Sequence, residues 1–182
     1  MRARLFLLPN RPSRGFTLIE IMIVLAVMTI LMSIAAPSLS DLLRRIKVNS
    51  ISSSLVTSLQ QGRNEAIKLG ARVLVCASNA AGTDCSTSTD WGANGWIVCA
   101  DINGNSSCDA STAALPNPIY VQGPVPAGTA TVTGPATPVI FTSSGSCATP
   151  TTAPHLTVTA VGATSTTTVS VQGSGYVKGT RI

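Results

Sequence analysis

The stretch that decides the fold is Gly15-Phe16-Thr17-Leu18-Ile19-Glu20, which leads into an uncharged run over residues 21–40. This run has twenty residues, most of them Ile, Leu, Val, Met or Ala. At a rise of about 1.5 Å per residue, a helix of this length crosses a hydrocarbon core roughly 30 Å thick. The stretch therefore predicts a membrane-spanning helix with one carboxylate close to its start.

Positive charge is concentrated ahead of this helix. The net charge of +5 and the pI near 9.3 invite a nucleic-acid interpretation. However, residues 1–15 hold four of the twelve basic residues and none of the seven acidic ones, so their removal leaves a net charge of +1. Basic residues before an apolar run favour a cytoplasmic N-terminus, although Arg44, Arg45 and Lys47 beyond the run oppose that orientation.

Two simpler interpretations of the apolar run compete. A cleaved secretory signal has an apolar core of about 7–15 residues, whereas this run is longer and follows an acidic residue. A plain membrane anchor explains the length but not Glu20, because an isolated carboxylate near a bilayer interior is costly. Pro37 lies inside the run, where the missing backbone donor should kink or loosen a helix.

These residues resemble the class III signal of type IV pilins and type II secretion pseudopilins. The resemblance implies a leader at residues 1–15, cleavage by prepilin peptidase between Gly15 and Phe16, and N-methylation of Phe16. It places the family's assembly glutamate at Glu20 and its helix-breaking proline at Pro37. Pairing Glu20 with the Phe16 amine of a neighbouring subunit would neutralise two charges in low dielectric and fix the axial register.

The same resemblance implies a location and a set of partners. Residues 16–40 would cross the bacterial inner membrane once, with a cytoplasmic N-terminus and a periplasmic head, and would later form filament core at the cell surface. The implied partners are membrane lipid before assembly, prepilin peptidase, the inner-membrane assembly platform and other minor and major pilins or pseudopilins. No cofactor is expected.

Residues 41–70 are predicted to continue the helix as an amphipathic half. Apolar residues recur near a helical period, no proline follows until beyond Gly70, and Gly70 is a plausible terminator. A helix over residues 17–69 would pack one stripe against a globular domain. The apolar positions are Leu39, Leu42, Leu43, Ile46, Ile51, Leu55, Leu59 and Ala66.

From residue 71 the pattern changes to short strands between Gly-, Pro-, Ser- and Thr-rich loops. Strands are predicted at residues 72–77, 95–100, 118–122, 139–142, 155–161, 166–172 and 176–178, with loops at 78–89 and 123–138. The sequence therefore predicts an α+β, type IV pilin-like fold, in which the long helix packs on an antiparallel β-sheet head over residues 71–182.

The β-rich half resembles the GspH/FimT/FimU group of minor pilins. The matching segments are residues 65–70 with 73–76, Trp91 with 95–98, then 101–105, 139–145 and 169–178. The resemblance implies a minor pilin of a type IV pilus, tip-associated and priming assembly, which would serve twitching motility, adhesion or DNA uptake. A GspH-type pseudopilin of a type II secretion system is one alternative, and a DNA-binding minor pilin for natural transformation is another.

Five cysteines follow the helix, in a compartment where oxidation is expected. Cys76 and Cys85 flank one loop, and Cys99 and Cys108 flank another, each pair nine positions apart. Two local disulfides are the economical pairing, which leaves Cys147 as a thiol or for an intermolecular bond; sequence alone leaves other connectivities open. A zinc site is disfavoured by the wide spacing and the single histidine.

Oxygen-bearing side chains alternate at Asp101, Asn103, Asn105 and Asp109, around Gly104. The pattern faintly resembles a calcium loop, but it lacks the carboxylate count and terminal Glu of an EF-hand. A tight Asn-Gly hairpin turn is favoured instead.

Catalysis finds little support, because the only histidine, His155, accompanies no nucleophile motif. Trp91 and Trp96 are predicted as core or loop-anchoring residues. Some FimT-like pilins bind DNA through a C-terminal Gly-Arg-x-Arg motif, which this chain replaces with residues 175–178. Only Lys178 matches a basic position and Arg181 is an extra cation, so these two candidate DNA-binding residues form a weak electrostatic footprint.

Overall fold

The computed structural model describes residues 15–148, 155–162 and 166–181; the side chains of residues 34–38, 41 and 181 lie outside the described part. The predicted leader, up to residue 14, lies outside it as well. The chain forms two compact units, one ending at Ser40 and one beginning at Asp41. The boundary falls where the predicted membrane half of the helix gives way to the amphipathic half.

One long helix, α1, runs from Leu18 to Leu69. Thr17 caps its start, since the Glu20 amide donates a hydrogen bond to Thr17 Oγ1 at 3.3 Å. The helix ends at Gly70, whose φ of 62° suits glycine, and the amide of Ala71 reaches back to the carbonyl of Ala66. The predicted helix and its terminator are therefore confirmed. Within the described residues, no helix combines the length and hydropathy that a membrane span requires.

The C-terminal part of α1 packs on the sheets through a stripe at helical spacing. Its fully buried members are Val48, Leu55, Leu59 and Ala66. Gly62 belongs to the same stripe, and a Cβ there would lie 2.6 Å from Val75 Cγ2, so helix and sheet approach closely. The predicted stripe is wrong at its start, because four apolar residues remain half or more exposed: Leu39, Leu42, Leu43 and Ile46.

The described part of the head contains eight strands in two antiparallel sheets. Sheet I has the order β3-β2-β1-β5, and sheet II has the order β4-β6-β7-β8. The strands are β1 Arg72–Ala77, β2 Trp96–Asp101, β3 Tyr120–Gln122, β4 Ala130–Thr133, β5 Val139–Phe141, β6 His155–Ala160, β7 Thr166–Val171 and β8 Val177–Arg181. The α+β prediction, with a long helix packed on antiparallel sheet, is confirmed, although the sheet is divided in two.

One strand was not predicted. β4 lies inside the stretch 123–138 that was expected to be a loop. Its burial alternates, with Ala130 and Val132 facing the core, and it pairs with β6 along its whole length. Its paired residues in β6 lie 24 to 30 positions further along the chain, so the strand depends on non-local pairing that a local pattern does not reveal.

In sheet I, the strands β1, β2 and β5 are buried on both faces, whereas β3 at the edge is partly exposed. Side chains of alternate residues, such as Val73 and Val75, join the main core with α1 and sheet II, while Leu74 and Cys76 point to the opposite face. That opposite face forms a second, smaller core together with Ile97, Cys99 and Ile140, against which Cys85 and Cys108 pack. The sequence of a strand that is buried on both faces is a continuous apolar run. The runs in β1 and β2 could therefore be predicted well.

Candidate functional site

The predicted processing site lies at the start of the described chain, outside the helix. Gly15, Phe16 and Thr17 precede the first helical residue, Leu18. All three are exposed, and the Phe16 side chain is 82% accessible. A protease must bind its substrate in an extended form, so a non-helical, exposed Gly15–Phe16 bond is chemically suited to cleavage.

Sequence reasoning missed the role of Thr17. Its hydroxyl accepts the amide of Glu20, and its carbonyl accepts the amide of Ile21 at 3.3 Å. The signal was present, since Thr followed three residues later by Glu is a helix-start pattern. The cap fixes the point at which the extended segment becomes helix. It therefore places the exposed Glu20 in the first turn of α1, with Phe16 outside the helix.

The first turns of α1 expose an almost unbroken apolar surface. From Leu18 to Met32 its large apolar side chains are 49–79% accessible. The hydroxyls in this surface are satisfied within the helix, because Thr29 donates to the carbonyl of Ala26 and Ser33 to that of Ile30. An exposed apolar patch of this extent marks a surface that binds a membrane or other proteins. Pro37 lies in the helix, but its side chain is outside the described part.

Two disulfides cover the outer face of sheet I. Cys76 is bonded to Cys85 and Cys99 to Cys108, the two local pairs that the spacing favours. The half-buried Cys147 belongs to neither. The sulfur atoms of Cys76, Cys85 and Cys99 lie within 4.8 Å of one another, so the two bridges are adjacent. Both bridges consume the thiolates that a metal ion would need at this place.

Asp84 ties the two disulfide loops together. Its Oδ1 accepts the amides of Cys85 at 2.7 Å and Cys108 at 2.9 Å, while its Oδ2 accepts the Ser107 hydroxyl at 2.7 Å. Burial acts to raise the pKa of the Asp84 carboxyl, but the hydrogen bonds from Cys108, Ser107 and Cys85 outweigh burial and lower the pKa. Sequence reasoning missed Asp84, because nothing local marks a residue that links two distant loops.

Polar side chains of the loop after β2 form hydrogen bonds to other groups of the same loop. Asp109 accepts the amide of Ile102 and the side-chain amide of Asn103, and Asn103 Oδ1 accepts the amide of Asn105. Asp101 is fully buried and pairs with the Arg72 guanidinium at 3.3 Å. The carboxylate and amide oxygens of Asp109 and Asn103 serve as turn acceptors, and Asp101 Oδ2 accepts the amide of Ser106, while Asp101 Oδ1 is buried without a partner among the described residues. The predicted tight hairpin turn is wrong, since residues 102–119 form one long connection to β3.

The two tryptophans are core residues, as predicted. Trp91 and Trp96 are buried in the main core. The Trp91 indole donates to the carbonyl of Pro135 at 3.1 Å, and the Trp96 indole donates to the Ser58 hydroxyl of α1 at 2.9 Å. The single histidine, His155, is exposed at the start of β6.

The candidate DNA-binding residues lie on the last strand. Lys178 is exposed as the second residue of β8, and Arg181 ends that strand, with its side chain outside the described part. The Arg63 guanidinium, which lines a cavity together with Val177, is committed to the fold, because it donates to the carbonyls of Gly145 at 2.9 Å and Ser174 at 3.3 Å. Its donors to these carbonyls are therefore not available to act with Lys178 on a phosphate.

Comparison with known proteins identifies both halves of the chain. The family model described as type II transport protein GspH matches residues 52–175, and the prokaryotic N-terminal methylation motif matches residues 10–36. Comparison with curated protein sequences yields no significant match. The similar solved structures include two crystal forms of the type IV minor pilin FimU from Pseudomonas aeruginosa, at 19% and 18% identity and TM-scores of 0.53 and 0.51.

The two FimU matches cover 74% and 72% of this chain and 88% and 91% of theirs, and at this identity they show a shared fold. The GspH match extends over most of the head and the end of α1, and the methylation motif covers the predicted processing site. The predicted family is confirmed: the chain belongs to the GspH family of type IV pilin-like proteins.

Proposed function

We propose that this protein is a minor pilin, incorporated near the tip of a type IV pilus, where it helps to initiate assembly. The observation that carries the proposal is the order of parts along α1. An exposed cleavage motif precedes an exposed apolar helix, which continues without a break into a GspH-type head. A helix of this kind suits two environments in turn, a bilayer and then the apolar core of a filament.

Processing gives the N-terminus its assembly chemistry. Cleavage after Gly15 would leave a cationic amine on Phe16, which prepilin peptidase would then methylate. Glu20 lies one helical turn further and is exposed in the isolated chain. In the low dielectric of a filament core, the amine of one subunit and Glu20 of its neighbour would each need a counter-charge. Their pairing would set the axial register between subunits.

The proposed location follows from the same segment. Residues 21–40 carry no charge, and the arginines before them favour a cytoplasmic N-terminus. The protein would wait in the inner membrane with its head in the periplasm, then move to the filament through the assembly platform and other pilins. Disulfides on the head agree with an oxidising compartment.

A pseudopilin of a type II secretion system is the second candidate. The description of the matching family model, a type II transport protein, supports it. The similarity to FimU, described as a type IV minor pilin, supports the pilus. The two roles share one architecture, so the head alone does not separate them.

Deletion of the gene, with complementation, tests the proposal. Twitching motility, transformation and exoprotein secretion should be scored in the same strain. We expect loss of piliation and twitching with secretion intact. Loss of secretion with normal piliation would reject the pilus role in favour of the pseudopilin, and no change in any readout would reject both.

A further inference from the structure

A groove lies between α1 and the last strand, β8. It contains a cavity of about 430 Å³ and, further along the same two elements, a second of about 230 Å³. We call this the α1–β8 groove. It is lined by Asn49, Ser52, Ser53, Val56, Thr57, Gln60, Arg63 and Asn64 of α1, by Thr167 of β7, and by Gly175, Tyr176, Val177 and Gly179.

Two buried hydroxyls in this groove lack a hydrogen-bond partner. Ser52 is 6% exposed and Thr167 is 7% exposed, and neither side-chain oxygen bonds to another described group. Both residues line the larger cavity. A buried polar group without a partner is costly, and each such group in a native structure requires an explanation. Both hydroxyls are therefore available to bond to a molecule that enters the cavity.

The edge of β8 offers a second set of unused groups. β8 is the last strand of sheet II and pairs only with β7. The amide of Gln172 donates to the carbonyl of Tyr176 across the turn, so the alternation of an antiparallel pair directs the backbone groups of Val177 and Gly179 away from β7. No described residue bonds to them. An unpaired edge of this kind is a template for another strand.

The described lining of the groove favours an uncharged occupant. Arg63 is the one ionic group among the described lining residues, and it is already bonded to two backbone carbonyls. The remaining polar lining consists of neutral hydroxyls and amides. From Val177 to Arg181, β8 spans roughly 13 Å at about 3.3 Å per residue, enough for a partner strand of about five residues. Regularly spaced backbone donors and acceptors match a peptide rather than a sugar.

We infer that the α1–β8 groove binds an extended, uncharged peptide segment of a neighbouring pilin subunit, which adds to sheet II beside β8. The partner's backbone pairs with Val177 and Gly179, and the hydroxyls of Ser52 and Thr167 gain partners. The identification of the partner as a pilin rests on the proposed function. The inference that the groove binds an extended peptide does not depend on it.

Photo-crosslinking in cells tests the inference. p-Benzoylphenylalanine is placed at Thr57, inside the groove, or at Leu43, which is exposed on α1 outside it. Each is combined with Gly179→Ala or Gly179→Pro. Both substitutions add a Cβ, which would meet Val56 at an ordinary 3.6 Å, but only proline removes the edge amide. Crosslinked peptides are identified by mass spectrometry.

We expect the Thr57 probe to capture an uncharged segment of another pilin, with the yield kept in Gly179→Ala and reduced at least tenfold in Gly179→Pro. Adducts from Leu43 without any from Thr57 would overturn the inference and leave the proposed function intact. A Thr57 adduct that survives Gly179→Pro, or that carries a glycan, would also overturn it. Absence of adducts from both positions would contradict filament incorporation, and with it both proposals.

A second pair of variants keeps the test decisive if Gly179→Pro fails to fold. Ser53→Trp fills the groove from the helix side without changing β8, and Ser50→Trp places the same side chain at an exposed helical position outside the lining. Only Ser53→Trp should abolish the Thr57 adduct. Equal yields in the two variants would contradict the inference.

Discussion

One part of α1 docks on the head and another does not, and each part contains a leucine that can be truncated for comparison. Leu55 is fully buried in the main core, whereas Leu43 is 50% exposed. Truncation of a fully buried leucine to alanine typically costs about 2–5 kcal/mol, because packing contacts are lost and a cavity remains. At an exposed site the same change costs about 0.5 kcal/mol or less.

Thermal unfolding of the full chain in detergent, followed by circular dichroism, measures the difference. A domain of this size loses roughly 2–4 °C of melting temperature per kcal/mol. Leu55→Ala should therefore lower the melting temperature by roughly 4–20 °C, and Leu43→Ala by about 2 °C or less. Both variants change the same side chain on the same helix, so helix propensity is matched.

Two results of the melting experiment would contradict this prediction. Similar losses from both variants would mean that the docked face begins before Val48, contrary to the observed burial. A stable Leu55→Ala variant would mean that α1 contributes little to the core of the head. Either result would remove the basis for treating the exposed residues before Val48 as a surface for other molecules.

Three further predictions concern the head. Asp84→Asn should lower the free energy of unfolding by about 1–3 kcal/mol, since it weakens charge-assisted hydrogen bonds. The folded pKa of Asp84 lies below its ordinary 3.8, so the wild type should have its whole stability advantage above that pH. The advantage should disappear as the pH falls through the folded pKa. Gly62→Ala should lower stability by about 1–2 kcal/mol, as the clash with Val75 exceeds a helix-propensity gain of about 1 kcal/mol, which urea denaturation would show. In a low-salt gel shift, we expect the wild type and the Lys178→Ala and Arg181→Ala variants to behave alike, because the C-terminal cations do not bind DNA. If the wild type retards DNA and both substitutions abolish this retardation, the C-terminus contains a DNA site.

The sequence predicted the parts of the fold that rest on local pattern. The end of α1 follows from Gly70, and β1 and β2 follow from continuous apolar runs buried on both sides, whereas the Thr17 cap at the start of α1 was missed. β4 was missed because only two small apolar residues face the core and its partner strand is distant. Strand formation there depends on tertiary pairing, which a short window does not contain.

The extent of docking could not be predicted for a similar reason. Leu42, Leu43 and Ile46 continue the same apolar period as Leu55 and Leu59, yet only the latter two are buried. A helical period shows that a face is apolar, but the position at which the sheets end decides what covers it. The unpartnered hydroxyls of the α1–β8 groove likewise have no sequence signal, since serine and threonine are frequent throughout the head.

The central claim is that the N-terminal segment is processed and then serves as the assembly contact. Its most direct test is the mature N-terminus and filament content of Glu20→Ala, with Glu65→Ala as the same change further along α1. We expect mass spectrometry to find methylated Phe16 as the first residue in both, and sheared filaments to contain only Glu65→Ala. Wild-type incorporation of Glu20→Ala, or a mature chain that does not begin at Phe16, would contradict the account.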